Sequence, residues 1–245
     1  MKDIPFTIRQ NRQLTADVFE LDLEGDTSGI ARPGQFVNLS IPGHFLRRPI
    51  SVSDWSPGSL RLLVKVVGAG TAWLRDAAPD TAVRILLPLG NGFDVTAPQG
   101  ARAVLVGGGI GLAPLYGLAR RMAGDRAPAV VLGFRSARDA FYVDAFAALG
   151  CEVRVTTEDG SLGTRGFVTD VLRGLPDPSY LFACGPMPML RAVAALPGPV
   201  GGQFSLEARM GCGFGACMGC TIQTARGPAR ICREGPVFRK EELAW

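Results

Sequence analysis

The sequence predicts three parts in order: an antiparallel β-barrel, an α/β domain built on a parallel sheet, and a small cysteine-rich tail. Three features carry that expectation. Residues 6–88 hold short apolar runs that alternate with polar residues, residues 100–202 change to a strand-then-helix rhythm, and four of the six cysteines crowd into residues 212–232. The expected domains are 1–99, 100–202 and 203–245.

In the first part the alternation passes through Val18, Phe19, Leu21 and Leu23, then Phe36, Val37, Leu39 and Ile41, then residues 60–67 and 83–87. A period of two is what a half-buried strand requires. Gly25, Gly29, Pro33-Gly34, Pro42-Gly43 and Pro57-Gly58 punctuate the runs as turns, and residues 71–77 predict one short helix. In the second part, apolar strands at 103–106, 130–134, 153–156 and 180–184 are followed by helical stretches at 112–122, 140–149, 167–172 and 187–195. That alternation predicts a parallel sheet covered by helices. The tail, about forty residues long, is too short to hold a core without a metal staple.

Composition narrows the function. The chain of 245 residues is 47% hydrophobic and 20% charged, with a net charge of +4, which is ordinary for a soluble globular protein. Its basic residues form no block, so nucleic acid is not an expected partner. Residues 1–10 are interrupted by Lys2, Asp3 and Arg9 and lack the apolar core of a secretory signal, so a cytoplasmic location is expected. The longest uncharged run, between Arg102 and Arg120, is shorter than a membrane span, and no membrane association is expected. The single histidine, His44, excludes a site built on two imidazoles and argues against an acid–base triad. Catalysis is left to cofactors.

In a cytosolic chain the cysteines are not expected to pair as disulfides. Cys212, Cys217, Cys220 and Cys232 follow the spacing C-x4-C-x2-C-x11-C. Four thiolates are what a 2Fe-2S cluster needs, and the first two gaps match the plant-type ferredoxin pattern, although the last gap is shorter. Gly211, Gly213, Gly215 and Gly219 let the loop wrap tightly, with backbone N–H groups turned to sulfur. Structural zinc also takes four cysteines, but it favours two paired hairpins, whereas here the fourth ligand stands alone. Cys151 and Cys184 lie apart from this group, at a strand start and a strand end; both read first as small buried side chains, and Cys184 keeps a functional role as an alternative.

Three further segments point to bound nucleotides. Arg48-Pro49-Ile50-Ser51 places a guanidinium and a hydroxyl on an apparent strand, where Arg suits a pyrophosphate and Ser a flavin edge. Leu63-Val64-Lys65 is followed by Gly70-Thr71 opening a short helix, which offers N–H groups and a hydroxyl to a phosphate. Gly107, Gly108, Gly109 and Gly111 sit between a strand and a helix, letting backbone amides approach a phosphate, although the run lacks the third glycine of the Rossmann fingerprint. Cys184-Gly185-Pro186 repeats the arrangement after the last sheet strand. Each segment also has a plain reading as an edge strand or a tight turn.

In their fixed order these motifs resemble the ferredoxin reductase superfamily, and most closely the electron-transfer subunits of dihydroorotate dehydrogenase B. The resemblance runs through Arg48 to Ser51, residues 88–93, residues 107–114, Cys184-Gly185-Pro186, residues 210–220, Cys232 and residues 234–238. It implies an FAD-binding barrel, an NAD-binding domain and a 2Fe-2S domain. FAD would be held by Arg48, Pro49, Ile50, Ser51, Leu63, Val64, Lys65, Gly70 and Thr71, and the cluster by Cys212, Cys217, Cys220 and Cys232. The wider superfamily often has Tyr where Ile50 stands, so one aromatic contact to the flavin is missing. Arg135 and Arg138 follow the second sheet strand, where basic side chains suit the extra phosphate of NADP, in tension with the NAD that the resemblance implies.

A hydride carries two electrons and a 2Fe-2S centre takes one, so a flavin must stand between them. The resemblance implies a flow from the FMN of a dihydroorotate-oxidising catalytic subunit, through the cluster and FAD, to NAD+, in pyrimidine biosynthesis and within a heterotetramer of two plus two. An eight-fold barrel for FMN needs about 250 residues by itself, so the catalytic subunit is expected to be a separate chain. The alternative is the small subunit of an NADP-ferredoxin oxidoreductase or sulfide dehydrogenase type complex. A third possibility is a zinc-binding interaction module on a barrel without flavin.

Overall fold

The structure is a computed structural model that describes residues 1–124, 127–175 and 179–245. Six strands close the N-terminal barrel: β1 (Lys2–Gln13), β2 (Val18–Glu24), β3 (Phe36–Ser40), β4 (Arg48–Ser56), β5 (Ser59–Lys65) and β6 (Ala82–Leu89), in the order β1-β2-β5-β4-β3-β6. Every pairing is antiparallel. The apolar alternation fills the interior with Phe19, Leu21, Leu39, Leu60, Leu62 and Ile85, while the residues between them face solvent or, like Val18 and Leu63, pack against the sheet domain. Helix α1 (Ala69–Asp76) plugs one end through Leu74. The Asn11 amide donates to the carbonyls of Leu74 and Arg75, at 2.7 and 2.5 Å, satisfying the free end of that helix. Strand β1 has no clear apolar signature, because only Phe6 and Ile8 are buried along it. Its place is set by backbone pairing to β2 and β6.

The second layer is a sheet of β7 (Arg102–Gly108), β8 (Ala129–Phe134), β9 (Glu152–Thr157), β10 (Thr164–Arg165), β11 (Ser179–Cys184) and β12 (Gly201–Ser205). All are parallel, in the order β10-β9-β8-β7-β11-β12. Central strands such as β11 are buried along their whole length, as expected of a sheet covered on both faces. The covering helices are α2 (Ala113–Met122), α3 (Val143–Ala147), α4 (Val168–Leu172) and α5 (Met187–Ala194). The helix expected over 140–149 is only the five residues of α3. Phe141 turns into the core and Tyr142 adopts a left-handed φ of 64°, sending its hydroxyl to the Glu20 carboxylate on the barrel. The helix expected from residue 112 begins with a 3-10 turn at Gly109–Leu112.

Barrel and sheet are joined along α2 and β4. Arg120 pairs with Asp54, and the Arg121 guanidinium lies 4.1 Å from the Trp55 ring centroid. The boundary expected at residue 202 falls inside β12. After β12 the chain leaves the sheet for the cysteine loop and the hairpin of β13 (Thr221–Thr224) and β14 (Gly227–Arg230), then returns as β15 (Val237–Arg239), antiparallel to β12. The tail is thus stapled to the sheet at both ends. Among the described residues no helix is long and apolar enough to cross a membrane.

Candidate electron-transfer site

Two clefts meet between barrel and sheet. The first, of about 490 Å³, has Arg48, Pro49, Ile50 and Ser51 on one wall with Leu63, Lys65 and Thr71. Its other walls come from Ile110 and Ala113 at the start of α2 and from the stretch after β12, including Met210. Val64 points the other way, into the barrel interior, because successive strand residues face opposite sides. Arg48 lies on Gly70, where an added Cβ would sit 2.5 Å from its Nε; only glycine lets the guanidinium settle there. Arg48 donates to the Leu46 carbonyl and has no carboxylate partner among the described residues, so its charge is free for an anion. The Thr71 hydroxyl is already engaged: it donates to the Gly68 carbonyl at 3.0 Å and accepts from Val67 N–H at 2.9 Å. These bonds fix the helix start on the cleft wall.

The second cleft, of about 670 Å³, opens at the C-terminal ends of β7, β8, β9 and β11, the edge where parallel α/β sheets bind ligands. Gly108, Gly109, Gly111, Gly185 and Pro186 line it. Gly107 and Cys184 stand one position back, paired with each other in register, and do not line it. Burial drives the Cys184 thiol upward, so it is a neutral packing group. Lys65, Ile110 and Glu207 belong to both clefts, which makes them the seam between the two. Water reaches Glu207 through the open clefts, yet the surrounding protein desolvates its carboxyl and pushes its pKa up. Sequence reasoning gave no role in the clefts to Glu207, read only as the start of the cysteine tail, or to Thr156, Glu158 and Phe167, which sit in no glycine or cysteine motif.

The cysteines come together as two pairs. Cys217 N–H points at Cys212 Sγ (3.4 Å) and Cys212 N–H at Cys217 Sγ (3.5 Å), with Ala216 N–H also 3.2 Å from Cys212 Sγ. Cys232 N–H points at Cys220 Sγ at 3.4 Å. Desolvation works against a Cys212 thiolate, but these N–H groups outweigh it and lower the thiol to about 6. Burial first, then the neighbouring Cys220, pushes Cys232 up to about 12, because two adjacent thiolates repel unless a cation lies between them. Among the described residues no group of three or more His, Cys, Asp or Glu is placed to hold a single metal ion. Two pairs of sulfurs, each facing N–H donors, suit a binuclear centre with one pair per iron better than a lone zinc.

The barrel positions this loop. Asn38, buried on β3, donates to the Cys212 carbonyl at 3.0 Å, and Gly213 beside it has φ +78° with no room for a Cβ against the Asn38 amide. Arg230 reaches the Gly215 carbonyl at 2.7 Å and is held by Glu234 at 2.5 Å. Met210 lines the first cleft and lies two residues before Cys212, a chain distance of at most about 7 Å. The cleft wall and the cysteine loop are consecutive pieces of one segment.

A barrel, a parallel sheet with two adjoining nucleotide-sized clefts, and a four-thiol loop define a ferredoxin reductase-like oxidoreductase carrying an iron–sulfur tail. The sequence model for the iron-sulfur cluster binding domain of dihydroorotate dehydrogenase B matches residues 207–244. The chain is 42% identical to the dihydroorotate dehydrogenase B (NAD(+)) electron transfer subunit of Bacillus caldolyticus, over 97% of this chain and 96% of the relative. It is 39% identical to the same subunit of Lysinibacillus sphaericus, over 95% of each. It also superimposes, with a TM-score of 0.84 and 30% identity over 98% of this chain and 89% of the other, on a chain from the structure of an NADH-dependent reduced ferredoxin-NADP oxidoreductase. The chain belongs to the family of dihydroorotate dehydrogenase B electron-transfer subunits.

Proposed function

We propose that this chain relays electrons between NAD and a separate dihydroorotate-oxidising subunit, using FAD in the first cleft and a 2Fe-2S cluster on Cys212, Cys217, Cys220 and Cys232. The carrying observation is the continuity of the two sites: the segment from Glu207 to Met210 walls the flavin cleft and runs directly into the first cluster ligand. When bound, the flavin exchanges electrons in pairs with a nicotinamide and singly with iron. The protein's part is positional. Arg48 anchors the pyrophosphate on Gly70, Ile50 and Ser51 run along the flavin edge, and Lys65 and Ile110 hold the seam where nicotinamide and flavin must meet. Gly108, Gly109 and Gly111 admit the dinucleotide phosphates to the ends of the sheet strands. Backbone N–H groups around the cysteines stabilise the charged cluster.

The relatives are named as electron-transfer subunits of a dihydroorotate dehydrogenase, which supports a separate catalytic partner; in our reading that partner carries FMN, oxidises dihydroorotate in the cytoplasm and joins this chain in a two-plus-two complex. The surface around the cluster suits that contact. Phe214 and Met218 are exposed beside the thiols, and Phe45 and Leu46 are exposed on the loop whose Arg47 bonds the Asn38 carbonyl. Isolated holoprotein should reduce a dye with NADH and leave dihydroorotate untouched, and adding the catalytic subunit should couple the two. Dihydroorotate turnover by this chain alone would remove the division of labour. The likeness to the ferredoxin-NADP oxidoreductase chain favours a second reading, the same relay attached to another catalytic subunit. Identification of the co-purifying chain separates the two.

A further inference from the structure

We propose that the Tyr142 hydroxyl and the Glu20 carboxylate form a clamp that sets the spacing of the two clefts, which makes Tyr142 a positioning residue for hydride transfer between nicotinamide and flavin. The inference rests on the reading that the first cleft takes FAD and the second a nicotinamide dinucleotide; it adds the contact that holds the two at reacting distance.

Among the described residues the barrel lends Asp17, Val18 and Lys65 to the second cleft, and no others. Val18 and Lys65 are a cross-strand pair on β2 and β5, and the next pair on the same face is Glu20 with Leu63, a residue of the first cleft. That face meets the sheet domain, since Val18 and Leu63 belong to its core. On the opposite side Phe141 lines the second cleft and Tyr142 follows it. The Tyr142 hydroxyl donates to Glu20 across the boundary. Two residues along a strand span about 7 Å, so this bond ties the two walls together one strand repeat from Lys65, where the clefts share their seam.

Both partners are held in advance. Glu20 is buried; Arg12 reaches its Oε1 at 3.0 Å, and Arg61, locked on Asp22 at 2.7 and 3.0 Å, stands 3.7 Å from its Oε2. Tyr142 has a φ of 64°, a conformation that a bulky residue takes where its surroundings impose it. Its ring lies edge-on to Tyr116 of α2 at 4.9 Å, and Tyr116 is in turn edge-on to Phe146 of α3 at 5.4 Å. Burial, then the bond to Glu20, push the Tyr142 phenol up, so it remains a donor. The packing of α2 on β4 already makes one joint between barrel and sheet; a second joint on different elements restrains rocking about the first. Each cleft binds its own ligand, but the distance between ligands belongs to the joints. A hydride leaves NADH as NAD+ and delivers two electrons to the flavin only when the reacting atoms stand about 3–3.5 Å apart, and a misplacement of about 1 Å costs up to about a hundredfold.

The test uses full-length protein loaded with FAD and cluster, mixed with NADH without oxygen. In Tyr142→Phe, which removes the clamp's hydroxyl and nothing else, flavin bleaching at saturating NADH should slow by about tenfold while the dissociation constant for NADH stays within about twofold of wild type. The long-wavelength charge-transfer absorption of the nicotinamide–flavin pair, which reports overlap of the two rings, should weaken. Glu20→Ala should reproduce the loss, and the double variant should lose no more than either single, because all three remove one contact. A merely structural bond would lower the unfolding temperature and leave both the saturated bleaching rate and the charge-transfer band unchanged. That result, or a Tyr142→Phe rate within about twofold of wild type, would overturn the proposal. A wild-type flavin that NADH does not bleach at all would instead remove the reading of the clefts, and this proposal with it.

Discussion

Individual side chains divide the cysteines into two kinds. Cys151 and Cys184 are buried in the sheet domain and pushed toward the neutral thiol by desolvation, whereas the tail cysteines face backbone N–H groups and one another. Cys232→Ser should therefore abolish the visible absorption and the reduced-state paramagnetic signal of the cluster while FAD stays bound, and Cys151→Ser should retain both. Arg230 and Glu234 supply a pH test. The hydrogen bond from Arg230 holds the Glu234 carboxyl down at about 2, against an ordinary 4.5. A depressed carboxyl stabilises the fold above its unfolded pKa, and that contribution fades as pH falls toward the folded value. The Tm difference between wild type and Glu234→Gln should be constant from pH 7 to about 5 and shrink below about 4.5.

At the level of elements, β12 connects all three parts. It is the last parallel strand of the sheet, it pairs with β15 on the return of the tail, and the segment after it walls both clefts. Phe204, fully buried on β12 and edge-on to Trp245 at 5.5 Å, holds this strand in the core. Phe204→Ala should cost about 3–5 kcal/mol of stability, measured by denaturant unfolding, and should speed cluster loss at temperatures where the flavin is still retained. The element readings that matched and those that failed have physical causes. Strands with dense apolar alternation, such as β2 and β6, announce themselves. Strand β1 buries only two apolar residues, and α3 is shortened because Tyr142 is drawn out to Glu20, a contact between residues 122 apart in sequence.

For the whole molecule, the consequence of the fold is a relay with one end unfinished. The clefts open between barrel and sheet, the cysteine loop itself exposes Phe214 and Met218, and the loop before β4 exposes Phe45 and Leu46; exposed apolar side chains of this kind suit an interaction surface. Phe214→Asp should weaken association with the catalytic subunit by about tenfold or more and leave NADH-driven dye reduction by the isolated chain intact, as read by sedimentation of the mixed subunits and by dye assay. A complex that forms equally well would place the contact elsewhere.

The candidate site was legible in the sequence where chemistry depends on local spacing. The thiol loop, the glycine turns and the Arg48 strand are short segments whose residue types and intervals made them candidates, and their order along the chain indicated barrel, sheet and tail. The residues that complete the site were hidden because they act across distance. Asn38 meets Cys212 over 174 positions, Glu207 becomes the seam of two clefts only because it follows β12, the last parallel strand of the sheet, and Glu158 reaches the same cleft as Arg135 only when β8 and β9 pair. Local sequence determines which groups are available and how the backbone turns around them; which groups share a cleft, and which charge prevails there, is decided by contacts between distant strands that no local pattern encodes.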